Sequence, residues 1–205
     1  MIYQTAAIIL FITFYAFYFA KLLLQKKQGI KTNQMGIGKK PGKVLLIERI
    51  MGLATISTFF FGVGSIFLVK RFWIKEIRIA GMITGIIAVL CFALAVITMK
   101  TSWRVGIPEE KTTLITNGIY QWSRNPAFVG FDLLYLSICL MFFNVPLLCV
   151  SIWAAVMLHL QILQEETHMR HIFGDEYDAY TKRTRRYWGR KKSHSSLISA
   201  PSLKE

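Results

Sequence analysis

The chain has 205 residues, of which 54% are hydrophobic, and its formal net charge is +14. Soluble domains usually contain about 45–50% apolar residues, so the composition argues against a soluble domain and predicts an integral membrane protein. The charge could suggest a nucleic-acid-binding protein. Basic cytoplasmic loops and contact with anionic membrane lipid explain it better, so we expect no nucleic acid as a partner.

Residues 1–99 form the first unit that we predict. Their apolar runs are close to or above the ~20 residues that cross the hydrocarbon layer of a membrane. We expect a first span at residues 2–24, a second at 45–69 and a third within 73–99. A polar, glycine-containing loop follows the first span, and a short basic turn, residues 70–75, follows the second. Trp73 suits the membrane interface.

A polar stretch, residues 112–130, then interrupts the apolar sequence. Non-helical backbone at membrane depth is tolerated only inside protein or beside a polar cavity, so we interpret this stretch as half of a cofactor pocket. Pro126 suits the first turn of a helix and would begin a fourth span. A fifth span follows, and its helix continues until Gly174 breaks it. Glu165 and Glu166, near the end of this span, are predicted to form the other half of the pocket.

The distribution of basic residues predicts the topology. With five spans and an external amino terminus, 21 of the 25 Lys and Arg residues fall on one side of the membrane, which by the positive-inside rule is the cytoplasm. The polar stretch and the Glu165–Glu166 pair then share this side and can meet. We expect the basic run 182–192 to contact anionic lipid headgroups, and residues 188–205 to form a basic flexible tail.

Residues 100–187 contain motifs whose order and spacing are informative. They are Thr116-Asn117-Gly118-Ile119-Tyr120, Arg124-Asn125-Pro126-Ala127-Phe128-Val129-Gly130, Glu165-Glu166 and Phe173-Gly174-Asp175-Glu176-Tyr177. In these motifs the chain resembles the isoprenylcysteine carboxyl methyltransferase and phospholipid methyltransferase superfamily. Residues 102–107 resemble its bacterial branch.

The resemblance implies an all-α polytopic membrane protein with about five transmembrane helices and a cytoplasmic C-terminal helix. It implies a methyltransferase region at residues 100–187 that uses S-adenosyl-L-methionine and acts on a lipophilic or prenylated acceptor, a carboxylate or an amine. We expect such an enzyme in the bacterial inner membrane with its active site facing the cytoplasm, and infer no obligate protein partner. The implied cofactor contacts are Thr112, Thr113, Leu114, Ile115, Gly118, Tyr120, Asn125, Pro126, Ala127, Phe128 and Glu165.

The expected chemistry concerns two charged residues. A carboxylate at Glu165 can pair with the amino group or the ribose hydroxyls of the cofactor, and Arg124 could meet the cofactor carboxylate or an anionic substrate group. We therefore predict that both are catalytic. Asp132, two turns into the fourth span, is a candidate for substrate binding because ionisable groups at membrane depth are costly. Bonding to a neighbouring helix is an equal alternative for Asp132.

The chain departs from the family pattern at three positions. Asn125 replaces the usual His and Phe128 the usual Tyr. Gln161, a further candidate for substrate binding, stands where the eukaryotic enzymes have an Arg that meets the substrate. The last change argues against a prenylcysteine carboxylate as the acceptor. The first two leave a non-catalytic membrane protein of the same fold, which binds a lipid or a partner, as the alternative function.

Other residues have simpler interpretations. Glu166 and Arg170 are four apart on a helix and are expected to form an ion pair, and Trp103 is expected to anchor at the membrane interface. Glu165-x-x-His168 could belong to a metal site, but di-iron bundles need two such motifs and two further glutamates, so we predict no metal. The cysteines lie in apolar runs and are expected to be small buried side chains: Cys91, Cys139 and Cys149.

Overall fold

A computed structural model describes residues 1–69, 74–110 and 112–191 of the chain. Five α-helices dominate these residues: α1 (Ile2–Lys27), α2 (Gly42–Leu68), α3 (Lys75–Met99), α4 (Pro126–Met141) and α5 (Val145–Arg183). Two short 3₁₀ turns, Lys100–Ser102 and Gly118–Gln121, lie between α3 and α4. Part of the predicted basic turn (70–73, with Trp73) and of the predicted tail (192–205) lies outside the described residues.

Four of the helices, α1, α2, α3 and α5, are long and apolar enough to cross a membrane. α4 is apolar but has only 16 residues, about 24 Å of helix at ~1.5 Å per residue. The prediction of an all-α polytopic membrane protein is confirmed. The fourth predicted span is present as this shorter helix, which begins at Pro126 as expected.

Small residues allow α3 and α4 to pack closely. A Cβ at Gly130 would lie 2.9 Å from Cβ of Phe92 and 3.1 Å from the carbonyl oxygen of Ala88. The Ser137 hydroxyl donates to the carbonyl of Gly81 at 2.7 Å. Helices in membranes associate through such small residues and interhelical hydrogen bonds. α2 packs on α5, whereas α1 packs mainly on α3, and this arrangement leaves space between α1 and α2.

α5 brings the acidic pair back to the start of α4. Its backbone is non-helical at Gly174, where φ is 49° and ψ is −126°, so the predicted break is confirmed as a kink after which the helix resumes. Asn144 caps the amino terminus of α5 by accepting from the amide of Leu147 at 2.9 Å. Cys91 and Cys139 are buried, but Cys149 on α5 is exposed, so its predicted burial is wrong.

A buried ion pair fixes the loop between α1 and α2. Glu48 is fully buried and accepts from Nζ of Lys40 at 2.8 Å and from the amides of Gly36 and Ile107 at 2.7 and 2.8 Å. Gly106 has φ 81°, and a Cβ there would lie 2.9 Å from Oε1 of Glu48. A buried charge is tolerated only when it is paired and hydrogen-bonded. Glu48 therefore ties the first loop to the segment after α3.

Candidate active site

A cavity of about 570 Å³ lies between α1, α2, α4 and α5. Its volume is within the ~300–1,000 Å³ typical of small-molecule sites. Aromatic residues are nine of its 21 lining residues: Tyr15, Tyr18, Phe19, Phe59, Phe60, Phe92, Trp103, Phe128 and Phe131. A few polar side chains also line it: Asn33, Thr55, Arg104 and Glu165. The cavity is therefore an apolar, ring-lined space with a single carboxylate in its wall.

Glu165 supplies that carboxylate from α5. Nε2 of Gln161, one turn earlier on the same helix, donates to Oε1 of Glu165 at 3.0 Å. Gln161 is fully buried, and its Oε1 has no hydrogen-bond partner among the described residues. Gln161 does not itself border the cavity, so its contact with substrate stays a prediction. Ala127 and Phe128, in the first turn of α4, line the same cavity.

Glu166, the next residue, has different surroundings. It is 7% exposed, and its Oε1 accepts from Nη2 and Nε of Arg124 at 2.7 and 3.1 Å and from Nδ2 of Asn125 at 3.1 Å. Its Oε2 accepts from Nη2 and Nε of Arg186 at 2.9 and 3.0 Å. The predicted meeting of the polar stretch with the acidic end of the fifth helix is confirmed by these contacts.

The predicted pairing of Glu166 with Arg170 is wrong. Arg170 instead donates from Nε to Oδ1 of Asp178 at 2.8 Å, in a pair whose side chains are 56% and 45% exposed. Residues four apart on a helix can pair only when no better partner faces one of them. Glu166 faces Arg124 and Arg186, which approach from two other parts of the chain.

Tyr120 is a buried part of the polar stretch. Its carbonyl accepts from the hydroxyl of Tyr180 at 2.6 Å, so the C-terminal part of α5 holds the 3₁₀ turn in place. Burial, with the nearby Tyr180 and Glu165, raises the pKa of the Tyr120 phenol above its ordinary value. The hydroxyl therefore stays protonated at physiological pH and remains a hydrogen-bond donor.

Two comparisons with known proteins bear on this region. Residues 77–176 match the phospholipid methyltransferase family. A curated relative, the protein-S-isoprenylcysteine O-methyltransferase of Rattus norvegicus, is 28% identical over 129 residues. Both matches support the predicted resemblance to the isoprenylcysteine carboxyl methyltransferase and phospholipid methyltransferase superfamily. The aligned part amounts to 60% of this chain and 45% of the rat protein, so it spans less than half of that relative.

The residues that the superfamily motifs single out are not all placed alike. Three of the eleven predicted cofactor contacts line the cavity: Ala127, Phe128 and Glu165. Tyr120, Asn125 and Pro126 are buried but do not border it. Gly118 lines a separate open groove beside Ile119, Trp122 and Trp188. The four residues from Thr112 to Ile115 border neither space, and their role in cofactor binding stays a prediction.

The predicted catalytic and substrate-binding residues also differ in whether they line the cavity. Arg124 does not border the cavity. Its guanidinium contacts Glu166 and also donates from Nη1 to the carbonyl of Thr184 at 2.8 Å. Asp132 lies on α4, and its Oδ1 is buried with no hydrogen-bond partner in the described parts of the chain. Because Asp132 does not line the cavity, its contact with substrate stays a prediction.

Sequence reasoning missed several residues of the candidate site. Trp103, expected at the membrane interface, is only 5% exposed, and its ring packs edge-on against that of Tyr18 with centroids 5.7 Å apart. Tyr15 and Tyr18 of α1 lie outside the matched region, yet they line the cavity. The spacing of Phe11, Phe14, Tyr15 and Tyr18 along one helical face was the available signal. Arg186, beyond the motifs, had no comparable signal.

Proposed function

We propose that this protein transfers a methyl group from S-adenosyl-L-methionine to a lipophilic acceptor at the membrane. The observation that supports this most directly is the position of Glu165. This carboxylate of the superfamily motif lies in the wall of a ring-lined cavity that is large enough for a small molecule. Similarity to the phospholipid methyltransferase family over residues 77–176 supplies the reaction class.

The residues of the cavity fit such a donor. S-adenosyl-L-methionine, when bound, supplies an electrophilic methyl group on a cationic sulfur. Glu165 would pair with its amino group or ribose hydroxyls, and Gln161 would orient Glu165 through the hydrogen bond from its Nε2. Aromatic rings such as those of Tyr18 and Phe128 attract cations through their faces. Donor binding would therefore use charge at one end of the cavity and rings along its wall.

The protein's own contribution to the reaction is positioning and exclusion of water. Orienting two reactants for in-line attack can account for a large part of the rate enhancement of an enzyme. Phe128 and Phe131 line the cavity from one face of α4, and Trp103 closes it from the segment after α3. In this proposal Arg124 acts through Glu166: it holds the loop that leads to Ala127 and Phe128.

The part of the cavity that α1 and α2 line, which we call the acceptor wall, suits a lipophilic molecule. Residues of α1 and α2 contribute rings from the part of the chain that precedes the matched region. Among the described residues, Arg104 is the one basic residue in the cavity wall. It already donates to Glu110 at 3.1 Å and to the carbonyl of Thr101 at 2.6 Å. An acceptor with a hydrocarbon body would enter from the bilayer, and its reactive group would approach the Glu165 end.

The proposal also includes where the protein works. The positive-inside rule assigns the polar stretch and the C-terminal part of α5 to the cytoplasmic face, as in a bacterial inner membrane. Exposed basic residues near the end of α5, Lys182 and Arg183 among them, would contact anionic headgroups there.

The test combines binding with turnover. Purified protein in lipid nanodiscs is titrated with S-adenosylhomocysteine, then incubated with membrane lipid extract and methyl-labelled donor. We expect binding, label in the lipid fraction, and loss of both with Glu165→Gln. Glu176→Gln, which alters an exposed glutamate of the same helix, is the matched control. Wild-type protein that neither binds the donor analogue nor labels lipid would refute the proposal and favour a non-catalytic lipid- or partner-binding protein.

A further inference from the structure

The chain after α5 folds back onto the polar stretch. We call residues 184–190 the C-terminal segment. Within it, Arg185 accepts through its carbonyl from the amide of Arg124 at 3.1 Å, and Gly189 donates from its amide to the carbonyl of Trp122 at 2.6 Å. Thr184 and Arg190 form an antiparallel bridge that closes the segment into a turn. The segment therefore lies along the backbone that leads to α4.

Side chains reinforce this contact at one point, the carboxylate of Glu166. It accepts five N–H groups, three from Arg124 and Asn125 of the polar stretch and two from Arg186 of the C-terminal segment. Nδ2 of Asn125 also donates to the carbonyl of Arg186 at 3.2 Å. Asn125, the residue that departs from the family pattern, thus bridges Glu166 and the segment.

This contact adjoins the proposed donor site. Asn125 is the N-cap residue of α4, and Ala127 and Phe128, which follow it, line the cavity. Any change in the position of Asn125 therefore moves two cavity residues. Glu166 is also adjacent to Glu165, so both ends of the proposed donor site depend on the same ion-paired cluster.

We propose that Arg186 is a positioning residue for the donor site, and that docking of the C-terminal segment is coupled to donor binding. The inference rests on the proposed function. Arg186 lies ten residues beyond the matched region, 77–176, and outside the sequence motifs. Through Glu166 it holds the polar stretch in the geometry that places Ala127 and Phe128 in the cavity wall.

The choice of residue has a physical reason. The planar guanidinium of Arg186 donates to Oε2 of Glu166 through both Nε and Nη2, and a lysine cannot reproduce this two-point contact. By thermodynamic reciprocity, if docking of the segment strengthens donor binding, the donor must stabilise docking by the same factor. The two effects can be measured separately on the full-length protein.

The first experiment measures affinity for S-adenosylhomocysteine by calorimetry. We expect Arg186→Ala to weaken binding about tenfold, in the range of ordinary coupling between sites, and Arg186→Lys to restore it only in part. Arg183→Ala, which removes an exposed arginine of the same region, should bind like wild type. Truncation after Arg183 should reproduce the loss, whereas truncation after Lys191 should not.

The second experiment uses the unmodified chain, so it does not depend on a variant that folds. Trypsin can cleave after Arg185, Arg186 and Arg190. S-adenosylhomocysteine should slow these cleavages, which mass spectrometry can follow. Cleavage after Lys26 and Lys27, in the last turn of α1, should keep its rate.

The outcomes separate this inference from the proposed function. Wild-type protein that does not bind S-adenosylhomocysteine would refute the proposed function, and the inference would fall with it. Wild-type protein that binds, together with Arg186→Ala of unchanged affinity and unprotected tryptic sites, would refute the inference alone. Arg186→Ala that has a lower melting temperature but normal affinity would assign Arg186 to stability only and would also refute it.

Discussion

The side chains of Glu165 and Glu166 are adjacent in sequence but serve different environments. Glu165 lines the cavity and is bonded by Gln161 of its own helix, whereas Glu166 binds two arginines from other parts of the chain. Successive residues on a helix point about 100° apart, so an acidic pair can serve two sites at once. One carboxylate is available to a ligand, and the other is used within the protein.

We expect Glu166→Ala to destabilise the protein strongly. Removing one partner of a buried ion pair costs about 3–5 kcal/mol of unfolding free energy. We expect a value near the lower end of this range, because Arg186 is partly exposed. The control is Asp178→Ala in the exposed pair with Arg170, where a surface ion pair contributes about 0–1 kcal/mol. Thermal unfolding in detergent measures both. Equal melting temperatures for the two variants would contradict the interpretation of Glu166 as a buried ion-pair partner.

A second prediction concerns the loop held by Glu48. Glu48→Gln should leave the buried ammonium of Lys40 without its counter-charge and destabilise the loop by roughly 3 kcal/mol. Cleavage at Lys31 and Lys39 by trypsin should become faster, since the first loop would detach from Ile107. Glu76→Gln, at an exposed position of α3, should leave the cleavage rate unchanged. A stable, protease-resistant Glu48→Gln protein would show that this ion pair does not hold the loop.

The third prediction tests the acceptor wall of the cavity. Phe59 on α2 packs against Tyr15 of α1 with ring centroids 5.0 Å apart. We expect Phe59→Ala to raise KM for the lipophilic acceptor about tenfold, equivalent to ~1.4 kcal/mol, without changing the affinity for S-adenosylhomocysteine. Phe67→Ala, at a 58%-exposed position of α2, is the control. A loss of donor affinity with an unchanged acceptor KM would assign this wall to the donor instead.

Helix packing provides the fourth prediction. Gly130→Ala would place a methyl group 2.9 Å from Cβ of Phe92, and overpacking of this kind typically costs about 1–3 kcal/mol. Gly64→Ala on α2 would meet nothing within 4 Å and should be neutral or stabilising, because alanine favours helix by about 1 kcal/mol over glycine. Gly130→Ala should therefore lower the melting temperature, whereas Gly64→Ala should leave it unchanged or raise it. The packing assignment is wrong if Gly64→Ala is the more harmful change.

Much of the fold was predictable because its signals are local. Apolar length predicts a membrane span wherever it occurs, and a proline or glycine acts on its own backbone. Pro126 begins α4 and Gly174 kinks α5 as expected. The superfamily motifs lie within one part of the chain, and the matched region, 77–176, overlaps most of it. The meeting of the polar stretch with α5 followed from counting charges and spans.

The sequence by itself determined the helices and their breaks, because hydrophobic length and backbone restrictions act along the chain. Its charges predicted that two polar regions share one side of the membrane. Only the tertiary structure decided which side chains meet. Glu166 contacts Arg124 rather than Arg170, Trp103 is in the core rather than at an interface, and α1 supplies part of the cavity wall. These contacts join residues far apart in sequence, and they depend on how each helix is rotated and how closely glycines let α3 and α4 approach.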